Sequence, residues 1–262
     1  MTRVAKAVLT LGLAGILSAC AGTIRDRIYQ PSTLAETPVE FAGEDPQAVS
    51  VTTEDGLSLD GYYWPAASGD DTLVVYFHGN GYNQLVGAAR AEPLRAGGHG
   101  VLVASYRGYG DNPGEPSEAG LFADAEAWLA MARELAPDAR IFLFGHSLGG
   151  AMALEMAARH HVAGVATLGT FARLSDQAPA IVRGALPDRF DNVTAIRRVE
   201  EPVLLLHGSE DAVVDFAAAQ ELEAAASGRA TLVRLVGAGH TLNLAGIADR
   251  IWEFWETGQA GN

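Results

Sequence analysis

Cysteine and lysine are nearly missing from this chain of 262 residues, each occurring once, as Cys20 and Lys6. Beyond position 20 there is no thiol, which excludes a disulfide and a cysteine nucleophile; covalent catalysis would have to use oxygen or nitrogen. Positive charge is scarce as well: 18 Lys and Arg face 32 Asp and Glu, a formal net charge of −14. Nucleic acid is excluded as a partner, because neutralising phosphates needs clustered Lys and Arg. The most apolar stretch, 7–19, covers thirteen positions, short of the roughly 20 that span a bilayer. No internal repeat, low-complexity segment or long charged tail is present. No pair of histidines stands at zinc-ligand spacing with a third ligand nearby, so neither a metal nor a cofactor is expected.

What is present starts with the N-terminus. Arg3 and Lys6 precede the apolar 7–19 stretch, which ends in Leu17-Ser18-Ala19-Cys20. A short basic region followed by a short apolar run reads as an export signal. The ending resembles the lipobox of bacterial lipoproteins, which implies removal of 1–19 as a signal peptide and diacylation of Cys20. Alanine at position 21, in place of aspartate, points to the outer membrane, facing the periplasm. Processing would take away Arg3 and Lys6 and no acidic residue, leaving 16 basic against 32 acidic side chains. Residues 20–47 carry Pro31, Pro38 and Pro46 with little periodicity and read as a lipidated tether and lead-in. Residues 48–262 are long enough, at 48% hydrophobic composition overall, for one large core.

Within that body, two strands over 48–53 and 57–64 flank the Glu54-Asp55-Gly56 turn and predict an antiparallel hairpin. Strand-like apolar runs follow at 72–77, 100–105, 140–144, 162–168, 202–206 and 230–235. Amphipathic segments at 83–96, 117–135, 148–160, 215–227 and 242–256 alternate with them. The pattern predicts an α/β fold: an eight-stranded, mostly parallel sheet with an antiparallel N-terminal hairpin and helices on both faces. The longer interval 169–201, between the sixth and seventh strands, has room for a small cap of one or two helices.

In such a sheet, chemistry gathers where strands end. The fifth strand runs into Gly145-His146-Ser147-Leu148-Gly149 and then a helix. A serine in that sharp turn has its hydroxyl exposed beside free N–H groups, although G-x-S-x-G alone is a weak signal. The seventh strand leads into His207-Gly208-Ser209-Glu210-Asp211, offering Asp211, with Glu210 as alternative, to orient an imidazole. Asp215 reads as a helix cap, as does Ser117. The eighth strand leads into Gly237-Ala238-Gly239-His240. Of seven histidines, only His240 follows the last strand on a glycine-flanked loop. His78 and His207 each precede a glycine at a strand end and read as loop-orienting. His99 lies in a turn, His146 inside the serine turn, and His160 with His161 at a helix C-terminus, where positive charge suits the dipole. Arg107, in Tyr106-Arg107-Gly108-Tyr109-Gly110, is expected to pair with a carboxylate of its own loop in a structural role.

Six ordered segments, His78-Gly79-Asn80, Tyr106 to Gly110, Gly114-Glu115-Pro116-Ser117-Glu118, Gly145 to Gly149, His207 to Asp211 and Gly239-His240, together resemble the α/β-hydrolase superfamily over about 48–255. Their wording is similar to the small-capped branch that includes the α/β-hydrolase-domain thioesterases and esterases. The resemblance implies the order Ser147, Asp211, His240 for nucleophile, acid and base. It further implies an oxyanion hole made by the backbone N–H groups of Asn80 and Leu148, and hydrolysis of a small acyl ester or thioester through an acyl-enzyme, with a peptidase or other acyl hydrolase, or a non-catalytic envelope lipoprotein, as the alternatives. The expected partners are that substrate and, through the lipid anchor, a membrane; the chain is expected to be a monomer. Asp111-Asn112 and Asp215 depart from the usual wording at the pocket rim without touching the triad. Phe171, Leu174, Ile181, Val182 and Leu186 either line an acyl pocket or bury the cap.

Overall fold

The computed structural model describes residues 24–26, 28–34, 39–177, 181 and 183–258. The signal region 1–19, Cys20 and Val182 lie outside the described residues. Runs in which almost every residue is apolar form strands buried on both faces, as Thr72–Phe77 and Val203–Gly208 are at all six positions. Only a sheet covered by helices on both sides can bury such strands.

The strands are β1 (Gln47–Thr52), β2 (Ser58–Trp64), β3 (Thr72–Phe77), β4 (Gly100–Ala104), β5 (Arg140–His146), β6 (Gly164–Leu168), β7 (Val203–Gly208) and β8 (Ala230–Leu235). The helices are α1 (Gln84–Ala91), α2 (Glu118–Leu135), α3 (Leu148–Arg159), α4 (Asn192–Arg198), α5 (Phe216–Ala225) and α6 (Ala248–Thr257). The sheet has eight strands in the order β1-β2-β4-β3-β5-β6-β7-β8. β1 pairs antiparallel with β2 and β2 with β4, and every other pairing is parallel. The expected fold class is the observed one.

Alternation along each strand divides the core. Leu73, Val75 and Phe77 of β3 join Ile141 and Leu143 of β5 and Val203 and Leu205 of β7 on one face, under α2, α3, α4 and α5. Val74, Tyr76, Phe142, Phe144, Leu204 and Leu206 take the other face, under Ala88 and Ala91 of α1 and the Ile251, Trp252, Phe254 and Trp255 stripe of α6. Ser117 and Asp215 cap α2 and α5, accepting from the N–H of Gly120 and Ala217. No described helix is long and apolar enough to cross a membrane.

Three findings differ from the sequence reading. Arg107 is structural, but its carboxylates come from elsewhere: Asp55 in the hairpin turn (2.7 Å) and Asp124 on α2 (2.7 Å). The interval between β6 and β7 holds 3-10 turns at Leu174–Gln177 and Arg183–Ala185, then α4, whose Val193, Ala195 and Ile196 belong to the main core. Phe171 is buried there too and Leu174 packs against it, while Ile181 is exposed. The third concerns the lead-in: residues 28–33 are bonded to the loops after β3 and β4, and Tyr29 is 2% exposed within the core.

Candidate active site

β5 extends through His146 and α3 begins at Leu148, so Ser147 makes the whole connection. It pays with φ of 51° and ψ of −111°, a conformation a non-glycine residue keeps only when its surroundings over-determine it. They do. The Ser147 N–H donates to the Leu168 carbonyl at 2.8 Å, and Thr170 Oγ1 donates to the Ser147 carbonyl at 3.3 Å. A Cβ on Gly145 would run into the Gly149 backbone, and one on Gly149 into the Phe77 carbonyl. Both glycines are therefore required by close backbone approach.

The loops after β5, β7 and β8 bring Ser147, Asp211 and His240 together. His240 Nε2 lies 3.0 Å from Ser147 Oγ, and His240 Nδ1 lies 2.8 Å from Asp211 Oδ2. The Asp211 side chain is 1% exposed and that of His240 16%. Asp211 Oδ1 accepts from the N–H of Val213 (2.8 Å) and of Val214 (2.9 Å). Burial pushes the Asp211 carboxyl up, yet the Val214 N–H, the His240 ring and the Val213 N–H outweigh it and leave it below the usual carboxylate range. An ionised Asp211 fixes His240 with its proton on Nδ1, so Nε2 is the bare nitrogen facing the serine hydroxyl. Such a chain can draw a proton from Ser147 Oγ and return it to a leaving group. Glu210, the alternative acid, makes no such contact among the described residues; its N–H donates to the Ala238 carbonyl.

The loop after β3 lies against the serine turn, since a Cβ on Gly79 would meet the His146 ring. Among the described residues neither the Asn80 nor the Leu148 N–H has a protein acceptor.

Sequence reasoning missed several supports. His146 is buried under the site, with Nε2 donating to the His240 carbonyl at 3.0 Å and its ring 5.2 Å from the His240 ring. Burial lowers its pKa to about 3, so it stays neutral. His207 Nε2 donates to the Val214 carbonyl at 2.9 Å and stands 3.4 Å from Asp211 Oδ2. Gly169 has φ of +62°, and a Cβ there would stand 3.2 Å from His240 Nδ1 and 3.3 Å from Asp211 Oδ2. The signal for Gly169 was available: it is the first residue after a strand, at the edge where the site forms.

The chain has the alpha/beta hydrolase fold, and the family model of that description matches residues 72–195. It is 35% identical over 246 residues to the uncharacterized protein Rv2307c of Mycobacterium tuberculosis, covering 89% of this chain and 86% of that one. The uncharacterized protein YfhR of Escherichia coli is 29% identical over 211 residues, covering 75% of this chain and 70% of its own. Among solved structures, the Pyrococcus furiosus esterase Pf2001 superposes with a TM-score of 0.70 at 18% identity, covering 87% of this chain and 98% of that chain. At that identity the likeness is one of fold.

Proposed function

We propose that the protein is a serine hydrolase that cleaves carboxylic ester or thioester bonds through an acyl-enzyme. The observation that carries this reading is the unbroken chain from Ser147 Oγ through His240 to the ionised Asp211, at 3.0 and 2.8 Å. Ser147 Oγ attacks the acyl carbon while His240 Nε2 takes its proton, and Asp211 stabilises the imidazolium. The N–H groups of Asn80 and Leu148 hold the oxyanion. Collapse expels the alcohol or thiol, which leaves with the proton from His240. A water molecule, deprotonated by His240, then attacks the acyl-enzyme, releasing the carboxylic acid and restoring Ser147. The esterases among the fold neighbours support the reaction class.

The second part of the proposal concerns location. Cys20, at the end of the export-signal pattern, carries the acyl chains of a bacterial lipoprotein and anchors the monomeric enzyme to the envelope, at the periplasmic face of the outer membrane.

A series of p-nitrophenyl esters and acyl thioesters of increasing chain length, assayed on purified protein, tests the first part. Turnover that disappears in Ser147→Ala supports it; equal turnover in Ser147→Ala contradicts it. Cell fractionation tests the second: Cys20→Ser should move the protein from the membrane to the soluble fraction, and continued membrane retention contradicts the anchor.

A further inference from the structure

The lead-in is stitched to the loop that carries the second oxyanion donor. The Asn80 side chain is bound at both ends. Its Nδ2 donates to the Ile28 carbonyl at 2.7 Å, and its Oδ1 accepts from the Gln30 N–H at 2.9 Å and the Tyr109 hydroxyl at 2.7 Å. Three residues on, Asn83 repeats the arrangement. Its Oδ1 caps α1 through the N–H of Leu85 and Val86, while its Nδ2 donates to Ser32 Oγ at 3.1 Å and the Thr33 carbonyl at 2.9 Å. The Ser32 carbonyl accepts from the Gly110 N–H at 3.0 Å. Upstream, Arg25 holds Asp188 through two bonds of 2.8 and 3.0 Å, and Asp188 also accepts from the Glu118 N–H at the start of α2.

The loop needs such support. Gly79 and Gly81 flank Asn80, and Gly81 has φ of +81°, so its own backbone is permissive. An oxyanion donor works only if it is held in place before charge develops on the substrate oxygen. Apart from the Tyr109 hydroxyl, every described partner of the Asn80 amide is supplied by the lead-in.

We infer that residues 28–33 are a positioning element of the active site, clamping the Asn80 side chain so that the Asn80 backbone N–H is fixed toward the oxyanion. The inference rests on the proposed role of that N–H. The segment is then a strap that belongs to the enzyme, and the sequence between the export signal and the first strand is under catalytic constraint. Loosening the strap harms the transition state and not the ground state, so kcat falls with KM unchanged.

Gln30→Pro removes the N–H that Asn80 Oδ1 accepts, at a residue whose side chain is exposed. The readouts are kcat and KM for a short p-nitrophenyl ester, and Ki for a boronic acid that forms a tetrahedral adduct on Ser147. Removing a whole oxyanion donor costs about 10²–10³ in rate. Loosening one should lower kcat about 10- to 100-fold, with KM within about twofold and the boronate Ki raised by the same factor as kcat falls. Gln30→Ala, which keeps the N–H, should restore both. A folded Gln30→Pro protein with wild-type kcat overturns the inference, as does a loss of kcat that the boronate Ki does not share. If Gln30→Pro does not fold, Tyr109→Phe serves: kcat and boronate affinity falling together by about 3- to 10-fold support the clamp, and wild-type values overturn it. Wild-type protein that neither turns over the ester nor binds the boronate overturns the hydrolase reading itself, and the clamp with it.

Discussion

Asp124 and Asp211 are both closed off from solvent, with side chains 0% and 1% exposed, and both contact a basic side chain. Asp124 takes the Arg107 backbone N–H at 2.9 Å and the guanidinium at 2.7 Å, and the same guanidinium reaches Asp55 at 2.7 Å. Burial pushes the Asp124 carboxyl up, and Arg107 pulls back without fully offsetting it. Burial pushes the Asp211 carboxyl up as well, yet it ends below the ordinary range, because the N–H groups of Val214 and Val213 at Oδ1 and the His240 ring at Oδ2 together outweigh it. The two also differ in their donors. A guanidinium is a permanent cation, so Asp124 and Asp55 tie the hairpin turn, the loop after β4 and α2 together. Backbone amides hold a carboxylate ionised without consuming it, and Asp211 keeps an oxygen with which to orient a base that can gain and lose a proton.

Removing the nucleophile should have the largest effect. Ser147→Ala or His240→Ala should lower kcat by about 10⁴–10⁶, read in an ester assay, while the melting temperature shifts little. Asp211→Asn should cost about 10²–10⁴ in kcat/KM, since the amide supports the wrong tautomer of His240. Asp124→Asn reverses the pattern: it leaves the Arg107 charge under-compensated and should lower stability by about 3–5 kcal/mol in urea titration, with kcat of the folded fraction unchanged. If the two substitutions had the same profile, the distinction between the two aspartates would collapse.

Two buried histidines set an acid limit. Burial lowers His78 to about 4 and His146 to about 3, whereas an unfolded histidine titrates near 6.5. The unfolded chain therefore binds more protons below that value. This contribution to stability is complete above about pH 6.5 and declines as pH falls toward the folded values, by up to about 4 kcal/mol between pH 7.5 and pH 5. Urea midpoints that are equal at those two pH values would contradict it. The smallest effect concerns Gly169. Gly169→Ala forces a side chain into φ of +62° and against the His240–Asp211 pair. It should cost about 1 kcal/mol of stability and about tenfold in kcat, roughly the same energy expressed as rate.

Most of the framework was readable because it is written in short-range pattern. Short, almost wholly apolar runs such as 72–77 and 202–206, bounded by turn residues, read as buried strands, and the glycines around Ser147 mark a turn too tight for a Cβ. The chain order of the strand ends then limited the acid and base to a few positions. Contacts between segments that share no short-range pattern were not readable. Nothing in a proline-bearing stretch announces that Ile28 and Gln30 will meet Asn80, or that Arg107 will pass over its own loop for Asp55 and Asp124. Likewise Phe171 and Leu174 were open between an acyl pocket and the cap because apolar content is the same for both, and only their packing in the main core distinguishes them. Gly169 stands at a strand end, where its left-handed φ of +62° leaves room for His240 and Asp211.

A fluorophosphonate probe followed by peptide mass mapping tests most directly whether Ser147 is an activated nucleophile. A single adduct on Ser147 is expected, absent in Ser147→Ala, slowed at least tenfold in Asp211→Asn by loss of the oriented base, and undiminished in Asp124→Asn. Protein that stays unlabelled, or that labels equally without Ser147, would contradict it.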